Sequence, residues 1–415
     1  MPRTKKSFPD PNSLDGQTLA RISQALYNKE PLSGPDGIIT KLLKQAMETV
    51  HSTTLEAEID NHFLENSMGV DNHNRRNGYN SKNVKSKYGE FSLDTPRDRN
   101  SSFEPQLIKK RQTSINDEID DKILALYSLG TSYNDISYHI SDLYGIEVSN
   151  AMINSVTDKL LPQITEWRER PLDSIYPIIF LDAMFFKARE NGSVTTNVMY
   201  NIMGINASGY KEILGFYMCE SEGASFWLGV LNDLKARGVE DILIACIDGL
   251  KGFSEAISTA FPKTDIQLCI VHMIRNSFKL VASKDQKKFI SDLKTVYQAP
   301  NQEIAYSNLL SLLDKWSKYS AALKPWVNNW ENLSTFYKFS NHIRKLIYTT
   351  NPIEGFHRQL RKYTKTKAAF TSENALLKLA FAAILRISEK WSQSINNWAL
   401  TISEIYIHFP NRMDI

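Results

Sequence analysis

Cysteine is scarce in this chain: Cys219, Cys246 and Cys269 are the only three in 415 residues. Three scattered thiols build no disulfide framework, and two of them lie inside apolar runs, so the sequence suits a reducing compartment. Zinc is poorly provided for. Cys269 and His272 form a single C-x-x-H, whereas a structural zinc needs four ligands and no second cysteine pair exists. Long apolar runs are missing too. The most apolar helical stretch, Ala375 to Ile387, is interrupted by Lys378 and Arg386 and is too short to span a bilayer. The opening residues Met-Pro-Arg-Thr-Lys-Lys lead into a polar segment, not the apolar core of a signal peptide. These absences point away from a secreted scaffold, a zinc module and a membrane protein. The expectation is a cytoplasmic protein with access to the nucleoid of a bacterial cell. At 42% hydrophobic and 23% charged residues the composition is that of an ordinary globular protein with room for two or three domains. The net charge of +3 says little by itself; its distribution says more.

What is present is a set of three carboxylates. Asp182 closes the apolar run Tyr176–Leu181, and Asp248 closes a second, Ile242–Ile247. Glu354 stands in Thr349-Thr350-Asn351-Pro352-Ile353-Glu354-Gly355, at the mouth of a basic helix. Two buried strands that each end in Asp deliver both carboxylates to one edge of a parallel-type sheet, and a helix carrying Glu can complete the cluster. Carboxylate oxygens are hard ligands suited to Mg²⁺ or Mn²⁺. Two such ions can clamp the attacking and leaving oxygens of a phosphodiester, which is the chemistry of nucleic-acid strand cleavage and transfer.

About the first 30 residues are polar and rich in Pro, Ser and Lys, and read as poorly ordered. Ile38 to about Phe63 reads as a helix with Leu42, Leu43, Met47 and Val50 on one side. From His73 to Arg111 the chain turns basic. Arg75, Arg76, Lys82, Lys85, Lys87, Arg97, Arg99, Lys109, Lys110 and Arg111 face only Glu90, Asp94, Asp98 and Glu104. Asn77-Gly78 and Tyr88-Gly89 are turn signals, and Thr95-Pro96 disfavours helix. A solvated basic linker would look like this. So would a phosphate-contacting arm with short strands, because clustered Arg and Lys release counterions on binding DNA.

Three short helical patterns follow. Ile119, Ile123, Leu126 and Tyr127 mark the first, and Ile136, Ile140, Leu143 and Tyr144 the second, with Ser132 as N-cap and Gly145 as stop. Ser149 caps the third, whose apolar face is Met152, Ile153, Val156 and Leu160. The pattern fits a helix-turn-helix module as well as any small three-helix bundle. In the former, the third helix reads DNA through Asn150, Asn154, Ser155 and Lys159 on its exposed face.

From Ile175 the pattern changes to α/β. Strands are expected at Tyr176–Leu181, Asn197–Ile205, Lys211–Met218, Ile242–Ile247 and Ile266–Val271, and helices at Ala224–Ala236 and Phe253–Phe261. Three meandering strands followed by alternating helix and strand is the element order of a ribonuclease-H-like core. The stretch between Asp248 and Glu354 far exceeds the ~30 residues that a strand–helix–strand unit needs. The apolar sets Phe289, Leu293, Val296, Tyr297 and Ala305, Leu309, Leu312, Leu313, Trp316 make the excess helical.

Taken singly, each carboxylate has a plain structural explanation: a loop or helix cap for an Asp at a strand end, and a favourable helix dipole for Glu354. The three together, in this order and on these elements, carry the inference. Arg358, Arg361, Lys362 and Lys365 continue the helix face that Glu354 opens, and with His357 and Lys367 they would hold a polyanion. A solvated charged face is the alternative. Cys269 and His272, at the end of the strand Ile266–Val271, are near-site candidates. His272 would contact the scissile phosphate or orient a metal-binding carboxylate, or the two would be a packed thiol and a hydrogen-bonded histidine.

Phe180-Leu181-Asp182-Ala183 with Lys187 and Arg189, and Ile247-Asp248-Gly249-Leu250-Lys251-Gly252-Phe253, resemble the first two catalytic blocks of the bacterial Mutator-type insertion-sequence transposases. Gln267 to Ser277 resembles that family's C-x-x-H block. Thr349 to Glu354 with Leu360-Arg361-Lys362-Tyr363-Thr364-Lys365 resembles its third. Arg76-Asn77-Gly78-Tyr79 and Asp94-Thr95-Pro96-Arg97-Asp98-Arg99 match upstream, and the resemblance runs from about residue 40 to about residue 400. Gly355 follows the Glu, and His357 stands where the family often has Asn.

The resemblance implies a DDE transposase. Asp182, Asp248 and Glu354 would be its catalytic and metal-binding residues, holding two Mg²⁺ or Mn²⁺ ions. Its partners would be the double-stranded element ends and target DNA, bound by a homo-oligomer, at least a dimer on DNA, and no membrane. Contacts to DNA fall to Arg75, Arg76, Arg97, Arg99, Asn150, Asn154, Lys159, Arg358, Arg361, Lys362 and Lys365. The expected organisation is a partly disordered helical region at 1–70, a basic arm at 71–112 and a helix-turn-helix domain at 113–165. A ribonuclease-H-like mixed-sheet core follows at 170–272 and 346–415, interrupted by an all-α insertion at 273–345. A domesticated DNA-binding protein that keeps the fold without cleavage is the rival reading, against which the intact carboxylates count.

Overall fold

The computed structural model describes residues 14–32, 34, 36–66, 74–86, 89–109, 118–190, 193–219, 223–249 and 252–413. The chain divides into two compact units, Met1–Lys159 and Leu160–Ile415.

In the first unit, α1 spans Leu14–Tyr27, α2 Ile38–Asn66, β1 Arg76–Ser86, β2 Gly89–Asp98, α3 Glu118–Ser128, α4 Tyr133–Tyr144 and α5 Asn150–Asp158. Helix α1 lies where disorder was expected; the local run from Gln17 to Leu26 holds neither Pro nor Gly and favours helix. Residues 1–13 lie outside the described residues. Strands β1 and β2 pair antiparallel from Ser86–Gly89 to Arg76–Asp98. Asn77-Gly78 is therefore no hairpin turn. It is a register shift inside β1, where Gly78 adopts a φ of 69°. His73, Lys87, Tyr88, Lys110 and Arg111 of the basic segment fall outside the described residues.

The buried face of α2 also differs from the expected one. Leu55 packs with Val84, Phe91, Leu93 and Ile108, and Met47 lies against them. Val84, Phe91 and Leu93 make one apolar row of the hairpin, and it selects the four-residue row Met47, His51, Leu55 and Ile59. Leu43 and Val50 consequently face solvent. Helices α3, α4 and α5 pack on one another. Ser132 accepts from Asp135 N at 3.1 Å and Ser149 from Met152 N at 3.2 Å, and Gly145 closes α4 at a φ of 64°, so these caps stand where the sequence put them. Leu143, expected on the inner face of α4, is exposed.

The second unit begins with α6 (Leu160–Glu169) and a five-stranded sheet: β3 Ile175–Glu190, β4 Ser193–Ile205, β5 Lys211–Cys219, β6 Asp241–Ile247 and β7 Asp265–Leu268, with α7 (Ala224–Ala236) and α8 (Phe253–Ala260) in the crossovers. The order is β5-β4-β3-β6-β7. The first three strands form an antiparallel meander, and β6 and β7 join parallel to β3. Trp227 of α7 stacks on Phe253 of α8, with ring centroids 4.0 Å apart. Strand β3 is far longer than the run Tyr176–Leu181. Its second half alternates buried Met184, Phe186 and Ala188 with exposed Phe185, Lys187 and Arg189, and stays paired to β4. Asp182 therefore sits in the middle of β3 and not at its end.

Helices α9 (Ile270–Lys279), α10 (Ser283–Tyr297), α11 (Gln302–Lys315), α12 (Ser320–Asn328), α13 (Trp330–Leu333) and α14 (Asn341–Ile347) fill the stretch after β7. The sheet anchors them through Gln267 of β7. This fully buried amide donates to Leu333 O at 3.1 Å and accepts from Phe336 N at 2.6 Å. Ser277 of α9 donates to Ala322 O and accepts from Trp326 Nε1, both at 2.8 Å, which fixes α9 to α12. The chain returns through α15 (Asn351–Thr364), α16 (Glu373–Ser388) and α17 (Trp398–His408). Beyond α15, Phe370 pairs with the extension of β3: its N donates to Lys187 O and its O accepts from Arg189 N, both at 2.8 Å.

Asp98 is a stability determinant of the first unit. It is buried and accepts from Asn74 Nδ2 (2.7 Å), Ser102 Oγ (2.7 Å), Ser102 N (2.9 Å) and Phe103 N (3.1 Å). Burial alone would raise its carboxyl, but these donors hold it well below the usual carboxylate range. A depressed folded value stabilises above the unfolded value of about 4, and the contribution is lost as the pH falls below it. Asp98→Ala should lower the unfolding free energy at pH 7 by about 2 kcal/mol or more, with the gap to wild type shrinking in acid. Equal denaturation midpoints at pH 7 would show that the cluster contributes nothing.

The thiols differ in access. Cys246 of β6 and Cys269, which precedes α9, are buried, and Cys219 at the end of β5 is half-buried. One thiol per native chain should react rapidly with Ellman's reagent and all three after denaturation. Fast reaction in Cys219→Ser would contradict this packing.

Candidate active site

The sheet register sets up the site. Leu181 of β3 pairs with Ile247 of β6, and Ile247 with Leu268 of β7. The parallel half of the sheet stops at this row. The next residues along the three chains are Asp182, Asp248 and Cys269, so the two carboxylates emerge side by side where β6 ends and β3 continues. Beyond the row, β3 stays paired to β4, with Asp182 opposite Asn201, and among the described residues Phe370 bridges its other side at Ala188.

His272 was expected at the end of a strand running to Val271, but β7 stops at Leu268, where its partner β6 has run out. Cys269 N still donates to Ile247 O at 2.8 Å, Ile270 N donates to Tyr348 O at 3.1 Å, and α9 begins. His272 therefore lies in the first turn of α9, which turns its ring toward the carboxylates. Ligand atoms of Asp182, Asp248 and His272 lie within 4.8 Å of one another.

Glu354 arrives on α15. Thr350 stands at the N-cap position of that helix without a side-chain cap bond, and Pro352 stands in its first turn, where its missing N–H costs nothing. The Thr350 hydroxyl reaches Cys269 Sγ at 3.4 Å, tying the start of α15 to the start of α9. Glu354 lies outside the tight Asp–Asp–His group. Its Oε1 is 3.7 Å from His272 Nε2 and accepts from Arg275 Nη1 at 2.8 Å.

The remaining expected residues separate clearly. Arg358 and Arg361 line the same cleft, of about 330 Å³, with Arg275, His357, Ala183 and Phe185. Lys362 and Lys365 are exposed but do not line it. His357, expected among the cations that hold substrate, is buried instead. Its Nδ1 lies 3.4 Å from Asp182 Oδ2, and Asn201 Nδ2 stands 3.1 Å from its Nε2. Cys269 points at Thr350 and stays out of the cleft. In the first unit, Arg76 pairs with Glu56 and Asp60, Arg97 donates to Asn80 Oδ1, Lys159 pairs with Asp120, and Asn154 donates to Asp158. Arg75, Arg99 and Asn150 are exposed.

Sequence reasoning gave no role to Arg275 or Asn201 and misjudged His357. Signals existed for all three. Arg275 is three residues beyond His272 and His357 three beyond Glu354, one helical turn in each case. Asn201 is a lone amide inside the apolar run Met199–Met203.

The electrostatics favour bound anions and cations together. The His272 ring is raised above its ordinary value first by Cys269 beside it, with Asp182 and Asp248 adding to the effect. Burial alone would raise the Cys269 thiol, but His272 and Thr350 bring it below its ordinary value. The N-termini of α9 and α15 both open onto the cleft residues, and helix N-termini favour negative charge. Two carboxylates and an imidazole nitrogen at this spacing are a donor set that a divalent ion of the Mg²⁺ or Mn²⁺ type fits.

Residues 16–394 match the family model described as "Transposase, Mutator family". The chain is 38% identical over 396 residues to a probable transposase for an ISRM3-like insertion sequence element of Sinorhizobium fredii, covering 94% of this chain and 98% of the relative. It is 37% identical over 395 residues to the transposase for insertion sequence element ISRM3 of Rhizobium meliloti, again covering 94% and 98%. A probable insertion sequence transposase of Corynebacterium diphtheriae is 37% identical over 297 residues, covering 71% of this chain and 86% of that one. With its carboxylates, histidines and arginines gathered at one sheet edge and a family match across nearly its whole length, the chain belongs to the Mutator family of transposases.

Proposed function

We propose that this protein binds the ends of its own insertion sequence and cuts and rejoins DNA strands at a divalent-metal site formed by Asp182, Asp248 and Glu354. The observation that carries this reading is the placement of Asp182 and Asp248 on adjacent strands just past the last parallel pair, within 4.8 Å of His272. The antiparallel meander followed by two parallel strands supports a ribonuclease-H-like core at 170–272 and 346–415, interrupted by the helical segment 273–345. Helices α3 to α5 with their caps support a helix-turn-helix reader at 113–165, and the hairpin β1–β2 a phosphate-contacting arm at 71–112. Among the described residues no helix is long and apolar enough to cross a membrane.

Asp182 and Asp248 would hold the ions, and Glu354 would complete the set by leaving Arg275 or by sharing that contact. Two bound Mg²⁺ or Mn²⁺ ions supply activation of water, and later of a 3′-hydroxyl, together with stabilisation of the leaving 3′-oxygen. Arg358 and Arg361 reach the cleft from one face of α15, where they would hold the phosphates on either side of the cut. A homo-oligomer, at least a dimer, would bring both element ends to one target.

The test is strand cleavage and transfer on a duplex carrying the element's own end. Asp182→Asn, Asp248→Asn and Glu354→Gln should each lower the rate by about three orders of magnitude or more while end binding, measured by gel shift, persists. Wild-type-like turnover in any variant removes that residue from the site. No metal-dependent cleavage by the intact protein would favour a domesticated DNA-binding protein.

A further inference from the structure

We propose that His357 is a positioning residue. Asn201 holds one of its ring nitrogens, the other faces the Asp182 carboxylate, and the histidine thereby couples the orientation of that carboxylate to the helix carrying Glu354. The inference rests on Asp182 being a metal-binding residue, as read above.

Three elements meet at this ring. Asp182 on β3 and Asn201 on β4 are directly opposite in the antiparallel register, and cross-strand partners project to the same face. His357 comes from α15, one turn beyond Glu354. Its side chain and that of Asp182 are each only 9% exposed, and Asn201 is fully buried. Asn201 Nδ2 donates to His357 Nε2 at 3.1 Å. A nitrogen that accepts carries no proton, so the neutral ring bears its proton on Nδ1. That nitrogen is the one 3.4 Å from Asp182 Oδ2. The other carboxylate oxygen, Oδ1, accepts from Ala183 N at 2.9 Å. Asp182 is thus addressed from the β3 backbone on one oxygen and from α15 on the other.

A second observation points the same way. The Asn201 side-chain oxygen is buried with no hydrogen-bond partner among the described residues. Such atoms are uncommon because they cost stability. The amide nitrogen serves the histidine at 3.1 Å and Met199 O at 3.5 Å, and the amide oxygen is left unmet. Groups that orient a metal-binding side chain from behind set the affinity of the site without touching the metal, and their loss costs about 10–100-fold in binding.

The experiment uses the full chain and Mn²⁺ as the probe, with affinity measured by calorimetry and by the loss of the free-ion electron paramagnetic resonance signal. The amide nitrogen of Asn stands near the place of imidazole Nδ1, and that of Gln near Nε2. His357→Asn therefore keeps the group facing Asp182 and gives up the contact to Asn201, and His357→Gln does the reverse. Expected are a loss of about 10-fold or more in Mn²⁺ affinity for His357→Ala and His357→Gln, and binding within one order of magnitude of wild type for His357→Asn. If His357→Ala does not fold, the Asn and Gln variants decide. Unchanged affinity in a folded His357→Ala, or equal losses in the Asn and Gln variants, would overturn the proposal. Asp182→Asn serves as the reference. If it still binds Mn²⁺ as wild type does, the metal-site reading itself fails, a result distinct from failure of the histidine's role.

Discussion

Two carboxylates are held within 4.8 Å of each other and of an imidazole where the parallel half of a buried sheet stops. At that separation and an effective dielectric of about 20, two negative charges repel by about 3 kcal/mol or more. The rest of the second unit can be understood as what holds and offsets this repulsion. The strands fix the carboxylates because Leu181, Ile247 and Leu268 are locked in register by continuous apolar burial. The starts of α9 and α15 bring positive dipole ends, and His272 and Arg275 add side chains that favour negative charge. A bound divalent cation would complete the same compensation, so the electrostatic frustration of the protein alone and its proposed chemistry have one cause.

The helical segment between β7 and α15 both lines this site and frames it. It starts from α9, which carries His272 and Arg275, and it ends just before α15, which carries Glu354 and His357. Gln267 and Ser277 pin its interior to the sheet and to α9. The two helix starts are joined by Thr350 to Cys269 and by Ile270 N to Tyr348 O. The buried thiol is thus explained as a packing partner between two helix starts. Beyond α15, Phe370 clamps the chain to the overhanging part of β3, the strand that carries Asp182.

Much of this was legible in the residues. Helix Ala224–Ala236 ends where the periodicity ends, and the strands of the apolar runs start within a few residues of their expected positions. The meeting of Asp182 and Asp248 at one end of the parallel strands was legible because an acidic residue closes each run. Three features were not. The second half of β3 alternates apolar with exposed residues, and such a strand is recognisable only once its partner β4 is known. The run Ile266–Val271 is β-branched enough to read as strand throughout, but pairing, not propensity, ends β7 at Leu268 and hands His272 to a helix. His357 looked like one more cation in a basic series. Burial against Asp182 and Asn201 is a tertiary fact that no spacing rule contains. On α2, the hairpin that packs against it chose among several apolar rows, and the row chosen includes His51 and leaves Val50 outside.

In the proposed function, Asp182 and Asp248 jointly hold the catalytic cation. The most direct measurement is a crystal structure of the protein grown with Mn²⁺, with the ion placed by its anomalous scattering. Expected is an anomalous peak bound by a carboxylate oxygen from each of Asp182 and Asp248, with His357 still packed behind Asp182. A fully occupied Mn²⁺ elsewhere on the chain, with these two carboxylates uncoordinated, would contradict it.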